Sequence, residues 1–137
     1  YPSNQIGWSI HTNTPTDVQT KLLIDDKQKN KWNHIAIVYS ASQKTVKFYI
    51  NGELNSEGKY TSVGPAILGP ARIGSWDGGG RDYQGEIDEF AIFNTTLSAT
   101  HIKSLATKSL STVLSGETSV EATGKLTTVW AKIRAYH

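Results

Sequence analysis

The sequence predicts an all-β fold, an antiparallel β-sandwich of the jelly-roll type with one short α-helix, and three observations carry that prediction. Short segments of alternating apolar residues recur along the chain, each closed by Gly, Asn, Pro or Ser. Asn51-Gly52 sits between two such segments, and both positions tolerate the positive φ of a type I′ hairpin turn. Helical periodicity is convincing only after Ser98.

Taken in order, Ile6 to His11 alternates with Ile6, Trp8 and Ile10 on one face, and Asn13 to Asp17 breaks the run. Lys21 to Ile24 is a second short strand, followed by the charged turn Asp25 to Lys31. Trp32 to Ser40 carries apolar residues on both faces, as expected of a strand covered on two sides. Trp32 is expected in the core, as is Trp130, and His34 is expected at the core edge. Thr45 to Asn51 places Val46, Phe48 and Ile50 together, and Glu53 to Tyr60 returns from the hairpin. Ala66 to Ile73 and Tyr83 to Phe93 read as further β segments. Between them, Gly74 to Asp82 includes three consecutive glycines and reads as a long loop. The helix is expected from Ala99 to about Lys108, with Ser98 as N-cap, Leu97 stapled onto Ile102, and Ile102, Leu105 and Ala106 as its apolar stripe. The tail from Ser109 to His137 is rich in Ser, Thr and β-branched residues and reads as a β-prone extension that supplies closing or donor strands.

Composition excludes several classes. Hydrophobic residues make up 37% of the 137 positions and charged residues 19%, which fits one globular domain. No apolar run approaches the ~20 residues of a transmembrane helix. The net charge of +2 is too small and too scattered for a nucleic-acid binder. Without cysteine there is no disulfide, thiolate site or cysteine nucleophile. The four histidines lack the spacing of a zinc site, and no Gly-x-Ser-x-Gly elbow is present. The opening Tyr1-Pro2-Ser3 has neither an initiator methionine nor a signal peptide, so processing or truncation upstream is expected.

Five pieces then form a pattern: Trp32-Asn33-His34-Ile35-Ala36, Val46 to Gly52, Ala71-Arg72-Ile73-Gly74, Gly85 to Asn94, and Leu97-Ser98 with Ile102 and Leu105. In this order the chain resembles the laminin G-like and pentraxin-like lectin superfamily, with a concanavalin A-type jelly roll, over roughly Gly7 to Leu105. The resemblance implies a jelly roll over residues 1–108, incomplete at its N-terminus because such domains carry further strands upstream, with 109–137 as the extension. It also implies an extracellular or cell-surface binding module that recognises glycans or a protein partner, and a calcium site in the Gly74 to Asp82 loop. Asp77 and Asp82 would supply oxygens there, but calcium takes about six to eight, so Asp25, Asp26 or upstream residues would have to contribute. Trp76 and Tyr83 would stack on sugar rings while Arg81 orients a hydroxyl or carboxylate. The competing readings are a solvated glycine-rich turn, and a Trp76 ring folded over the sandwich end.

The run Glu86-Ile87-Asp88-Glu89 tests the hydrolase alternative. A retaining glycosidase needs two carboxylates about 5 Å apart. Glu86 and Asp88 fit the first two positions of an acidic strand face, but the third is Phe90, which has no proton to give, and strand alternation turns Glu89 away. Catalysis is therefore not expected, and Asp88 is read as an acceptor for backbone N–H at a turn. The remaining alternative is a structural subunit that self-assembles by strand exchange, through sheet edges or the tail, into a filament or surface layer.

Overall fold

The computed structural model describes residues 5–10, 16–23, 28–60, 64–67, 69–75, 82–116 and 128–130. The strands are β1 (Gln5–Ile10), β2 (Thr16–Leu23), β3 (Ile35–Ser40), β4 (Thr45–Ile50), β5 (Glu53–Lys59), β6 (Ala91–Phe93) and β7 (Thr128–Trp130). Two helices follow β6, α1 (Ala99–Thr107) and α2 (Leu110–Gly116). All the strand pairs are antiparallel: β1 with β2, the meander β3-β4-β5, and β6 with β7.

The meander is the body of the fold. In it, β4 is the strand buried on both faces, because Val46 and Phe48 point one way and Tyr49 the other, at 0%, 1% and 5% exposure. Val46, Phe48 and Tyr60 form a core cluster, and Trp8 and Tyr39 pack on it. The Trp8 and Tyr39 rings stack at 5.8 Å, and Tyr60 meets Tyr39 edge-on at 6.2 Å. Tyr39 also donates its hydroxyl to the Gly64 carbonyl at 2.6 Å, fixing the chain beyond β5. A bulge at the Phe48/Tyr49 step lets β5 place Ser56 opposite Phe48 and Leu54 opposite Tyr49.

Turn chemistry sets these registers. Asn51 and Gly52 take φ of 51° and 82°, as a type I′ turn requires. Lys44, at φ 53°, closes the β3–β4 turn, and its amide donates to the Ala41 carbonyl at 3.2 Å. α1 packs against β5. The approach is so close that a Cβ on Gly52 would lie 3.1 Å from both Ala106 Cβ and Lys103 Cα. Ser98 caps α1, accepting from the His101 amide at 3.2 Å, while Ile102 is buried beneath the helix.

Several sequence expectations need correction. Trp32 lies outside the core, 66% exposed, because β3 begins three residues later at Ile35. Covering on two faces belongs to β4 and not to β3, whose Ile35 and Ile37 are exposed. The described residues between 64 and 75 hold no strand, and in the Tyr83 to Phe93 segment only β6 is regular. A second helix, α2, stands at the start of the Ser/Thr-rich tail. There the Ser109 hydroxyl accepts from the Thr112 amide at 3.3 Å, so serine acts as a helix cap where composition suggested a strand. The side chain of Trp130 lies outside the described residues.

Candidate functional site

The five pieces singled out in the sequence divide into architecture and surface. Asn33, His34, Asn51 and Gly52 are architecture. Asn51 accepts from the His34 amide through Oδ1 at 2.9 Å, while its own amide donates to the His34 carbonyl at 2.8 Å. Its Nδ2 donates to Asn33 Oδ1 at 3.2 Å, and Asn33 Nδ2 donates to the Gln28 and Lys31 carbonyls at 2.9 and 3.0 Å. The two asparagines therefore satisfy the backbone at the end of the β3–β4 ladder. The His34 ring is half-buried with Nδ1 unbonded, and that burial holds its pKa below the ordinary 6.5, partly offset by the charge of Glu89.

The acidic run is architecture as well. Asp88 Oδ1 accepts from the Glu89 amide at 2.8 Å, a turn role as the sequence reading expected. Glu89 was expected on the far face of a strand, but the backbone is irregular here and Glu89 sits at φ 51°. Alternation does not apply, and the Glu89 carboxylate reaches the first amide of α2, at 3.2 and 3.1 Å from Leu110 N. No local sequence signal announces this role, because it depends on a contact with the start of α2, 21 residues away.

A shallow groove of about 600 Å³ between β4, β5 and α1 is lined by Lys47, Tyr49, Leu54, Lys103 and Thr107 among others. Its cations are already paired, Lys47 with Glu57 at 3.8 Å and Lys103 with Glu53 at 2.8 Å.

The Gly74 to Tyr83 loop is different. Tyr83 donates its amide to the Gly74 carbonyl at 2.7 Å, which draws the two ends of the loop together. Gly74 has φ of 85°, a conformation costly for residues with a Cβ. The Tyr83 ring lies over the backbone of Gly85, where an added Cβ would be 2.9 Å from ring atoms, yet the residue remains 57% exposed. Asp82 beside it is exposed. Of the site residues predicted from sequence, Tyr83 and Asp82 are thus on the surface at the loop base, whereas Trp76, Asp77 and Arg81 lie outside the described residues, as do Asp25 and Asp26. Among the described residues no group of three acidic or histidine side chains gathers to hold a metal. None of the described helices is long and apolar enough to cross a membrane.

Antiparallel strand pairs, a hairpin fixed by Asn51-Gly52 and a capped helix define a mostly antiparallel β domain. A laminin G family model, described as the concanavalin A-like lectin/glucanases superfamily, matches residues 1–103, and the chain belongs to that family. It is 28% identical over 109 residues to the rat "Sushi, von Willebrand factor type A, EGF and pentraxin domain-containing protein 1", covering 73% of this chain but only 3% of that much longer protein. Among solved structures it is similar to an S-layer domain-containing protein from Clostridium thermocellum, at 25% identity and a TM-score of 0.43, over 74% of this chain and 51% of the other.

Proposed function

We propose that this domain is a non-catalytic extracellular binding and adhesion module that recognises glycans or a protein partner through the Gly74 to Tyr83 loop. The observation that carries the reading is Tyr83, an exposed ring seated on Gly85 at the closed base of the loop. A ring held in place loses little entropy when a sugar face stacks on it. Trp76 is proposed as the second stacking residue and Arg81 as the polar anchor, with Asp77 and Asp82 holding calcium or sugar hydroxyls. Membership of the lectin/glucanase superfamily and the pentraxin domain in the rat relative's name support this class, and the closed two-sheet jelly roll is proposed with it. The non-catalytic part rests on Asp88 and Glu89, whose carboxylates are committed to backbone amides, leaving Glu86 without an acid partner.

The test is retention on a glycan array and on extracellular-matrix proteins, with and without EDTA. Tyr83→Ala and Trp76→Ala are each expected to weaken binding about tenfold, the loss of one aromatic contact. Undiminished binding in both variants would overturn the assignment of the loop. Hydrolysis of β-glucans abolished by Glu86→Gln would overturn the non-catalytic reading.

A second reading, a subunit that self-assembles by strand exchange, is favoured by β7. Among the described residues this strand from the tail pairs with β6 through three residues, Ala91 with Trp130, Ile92 with Val129 and Phe93 with Thr128. So short a ladder adds little stability and is readily exchanged between copies. Light scattering on the intact chain and on one ending at Leu114 decides it. Assembly that disappears with the tail supports exchange, and a monomer in both cases removes it.

A further inference from the structure

We propose that Asn51 is a self-modification site, an asparagine prone to deamidation that its clamp to Asn33 and His34 holds in check, and whose conversion releases the β4–β5 hairpin from α1. Asparagine followed by glycine is where this chemistry runs most readily, because glycine has no Cβ to keep its main-chain nitrogen away from the asparagine side chain. Of the asparagines in the chain, only Asn51 precedes a glycine.

The reaction needs nothing beyond water. The Gly52 nitrogen loses its proton and attacks Asn51 Cγ, the Cγ–Nδ2 bond breaks, and ammonia leaves carrying the equivalent of that proton. A cyclic imide remains. Water then opens it on one side or the other. Opening at Cγ restores the ordinary chain with aspartate, and opening at the main-chain carbonyl leaves isoaspartate, whose main chain runs through Cγ and is longer by a methylene.

Two features of the fold oppose the attack. Asn51 is exposed, but its amide is held toward β3: Oδ1 accepts from the His34 amide at 2.9 Å, and Nδ2 donates to Asn33 Oδ1 at 3.2 Å. Asn33 is itself fixed, because its Nδ2 donates to the Gln28 and Lys31 carbonyls at 2.9 and 3.0 Å. Cγ has to leave this clamp before it can fold back over Gly52. The second feature is cover. Gly52 is buried under α1, where an added Cβ would stand 3.1 Å from Lys103 Cα and from Ala106 Cβ. Lys103 also holds Glu53, the residue after the turn, at 2.8 Å. Base and water therefore reach the Gly52 amide when α1 lifts.

The same contacts decide what the product does. Either acid places a carboxylate oxygen where Nδ2 was, facing Asn33 Oδ1 with no hydrogen to donate. Asn33 cannot turn over to supply one without giving up the Gln28 and Lys31 carbonyls. The isoaspartyl form also lengthens a tight turn whose φ angles of 51° and 82° fit the twist of its strands, and α1 leaves no space for the methylene. An excursion that reverses while Asn51 is intact becomes permanent once it has reacted.

The test follows Asn51 by peptide mapping and mass in the intact folded chain and in the same chain held in denaturant, at one pH and temperature. Conversion is expected to be about tenfold slower or more in the folded chain, the protection given by a closed local structure. Asn33→Ala should speed it about fivefold in the folded chain, the loss of one hydrogen bond, and leave the denatured rate unchanged. Equal folded and denatured rates, or a folded rate that ignores Asn33→Ala, would overturn the clamp. Amide exchange in β4 is followed alongside and should stay constant. A rise there in parallel with the deamidation rate would assign the protection to the domain as a whole and also overturn the clamp. For the consequence, the converted fraction is separated by charge, and hydrogen exchange over α1 is expected to be faster in it than in unconverted protein, with Asn51→Asp reproducing the aspartyl part of the effect. Unchanged exchange over α1 in the converted protein would remove the release of the hairpin from the proposal.

Discussion

The β3-β4-β5 meander and the Gly74 to Tyr83 loop use their residues in opposite ways. In the meander, polar residues are spent on the backbone: Asn51 and Asn33 bond main-chain groups, and Glu89, Asp88 and Ser98 do the same at the joints with the helices. At the base of the loop a backbone bond joins Tyr83 to Gly74, the Tyr83 ring lies against Gly85, and the side chains of Asp82 and Tyr83 remain on the surface. The difference teaches how to sort the residues that resemble the lectin superfamily. Those with buried partners hold the fold, and a change in them is read as stability. Those at the loop base are exposed, and under the proposed function a change in them is read as binding.

The largest effect on this comparison is expected from Phe48→Ala. Phe48 is 1% exposed at the centre of the core cluster, and truncating a buried phenylalanine costs about 3–5 kcal/mol through lost transfer energy and the cavity left behind. The denaturation midpoint should fall accordingly, or the variant should fail to fold. A loss below about 1 kcal/mol would mean that the meander is not the body of the domain.

Gly52→Ala comes next. Gly52 needs its glycine twice, for a φ of 82° and for α1 packed against it, with Ala106 Cβ and Lys103 Cα both 3.1 Å from an added methyl. The backbone term alone costs about 1–2 kcal/mol, and the collision adds to it because both obstacles belong to the helix scaffold. The second signature is spatial: hydrogen exchange should accelerate in α1 as well as at the hairpin. An effect confined to the turn would show that α1 does not rest on Gly52.

The hairpin was the most legible part of the sequence, because Asn51-Gly52 encodes its turn locally and Val46 and Phe48 alternate with a period that only a strand fits. Ser98 was legible for the same reason, since a cap is a local signal. Trp32 misled because period-two alternation was extended three residues beyond the strand, and a tryptophan's apolar area says nothing about whether a partner surface covers it. Glu89 misled more instructively. Its role is set by a φ of 51° and by a contact 21 residues away at Leu110, neither of which is written in the local pattern. Of the loop, the glycines and the exposed Tyr83 could be read, whereas the seat of its ring on Gly85 is a tertiary contact.

A smaller effect separates the two regions by pH. Burial disfavours the imidazolium of His34, so its folded-state pKa lies below the ordinary 6.5. Between those two values the unfolded chain binds more protons, and stability rises with pH. The contribution is therefore complete above 6.5 and is lost as the pH falls through that value toward the folded pKa. Glu89→Gln removes the charge that partly offsets burial, so the dependence should steepen. His34→Asn should flatten it, and a stability profile unchanged by that substitution would locate the pH dependence elsewhere.

The smallest stability effect is expected where the binding effect is largest. Tyr83→Ala removes a ring that is 57% exposed and lies against the backbone of Gly85, and such surface substitutions shift stability by no more than about 0.5 kcal/mol. The amide bond to Gly74 survives the change because it is made by the main chain. A thermal melt of Tyr83→Ala should therefore overlay that of the wild type while glycan or partner retention falls. If stability drops by 2 kcal/mol or so instead, the ring is a lid on the end of the domain. Tyr83 would then belong with the meander's structural residues, and the division between a region that holds the fold and a region that meets a ligand would no longer run between them.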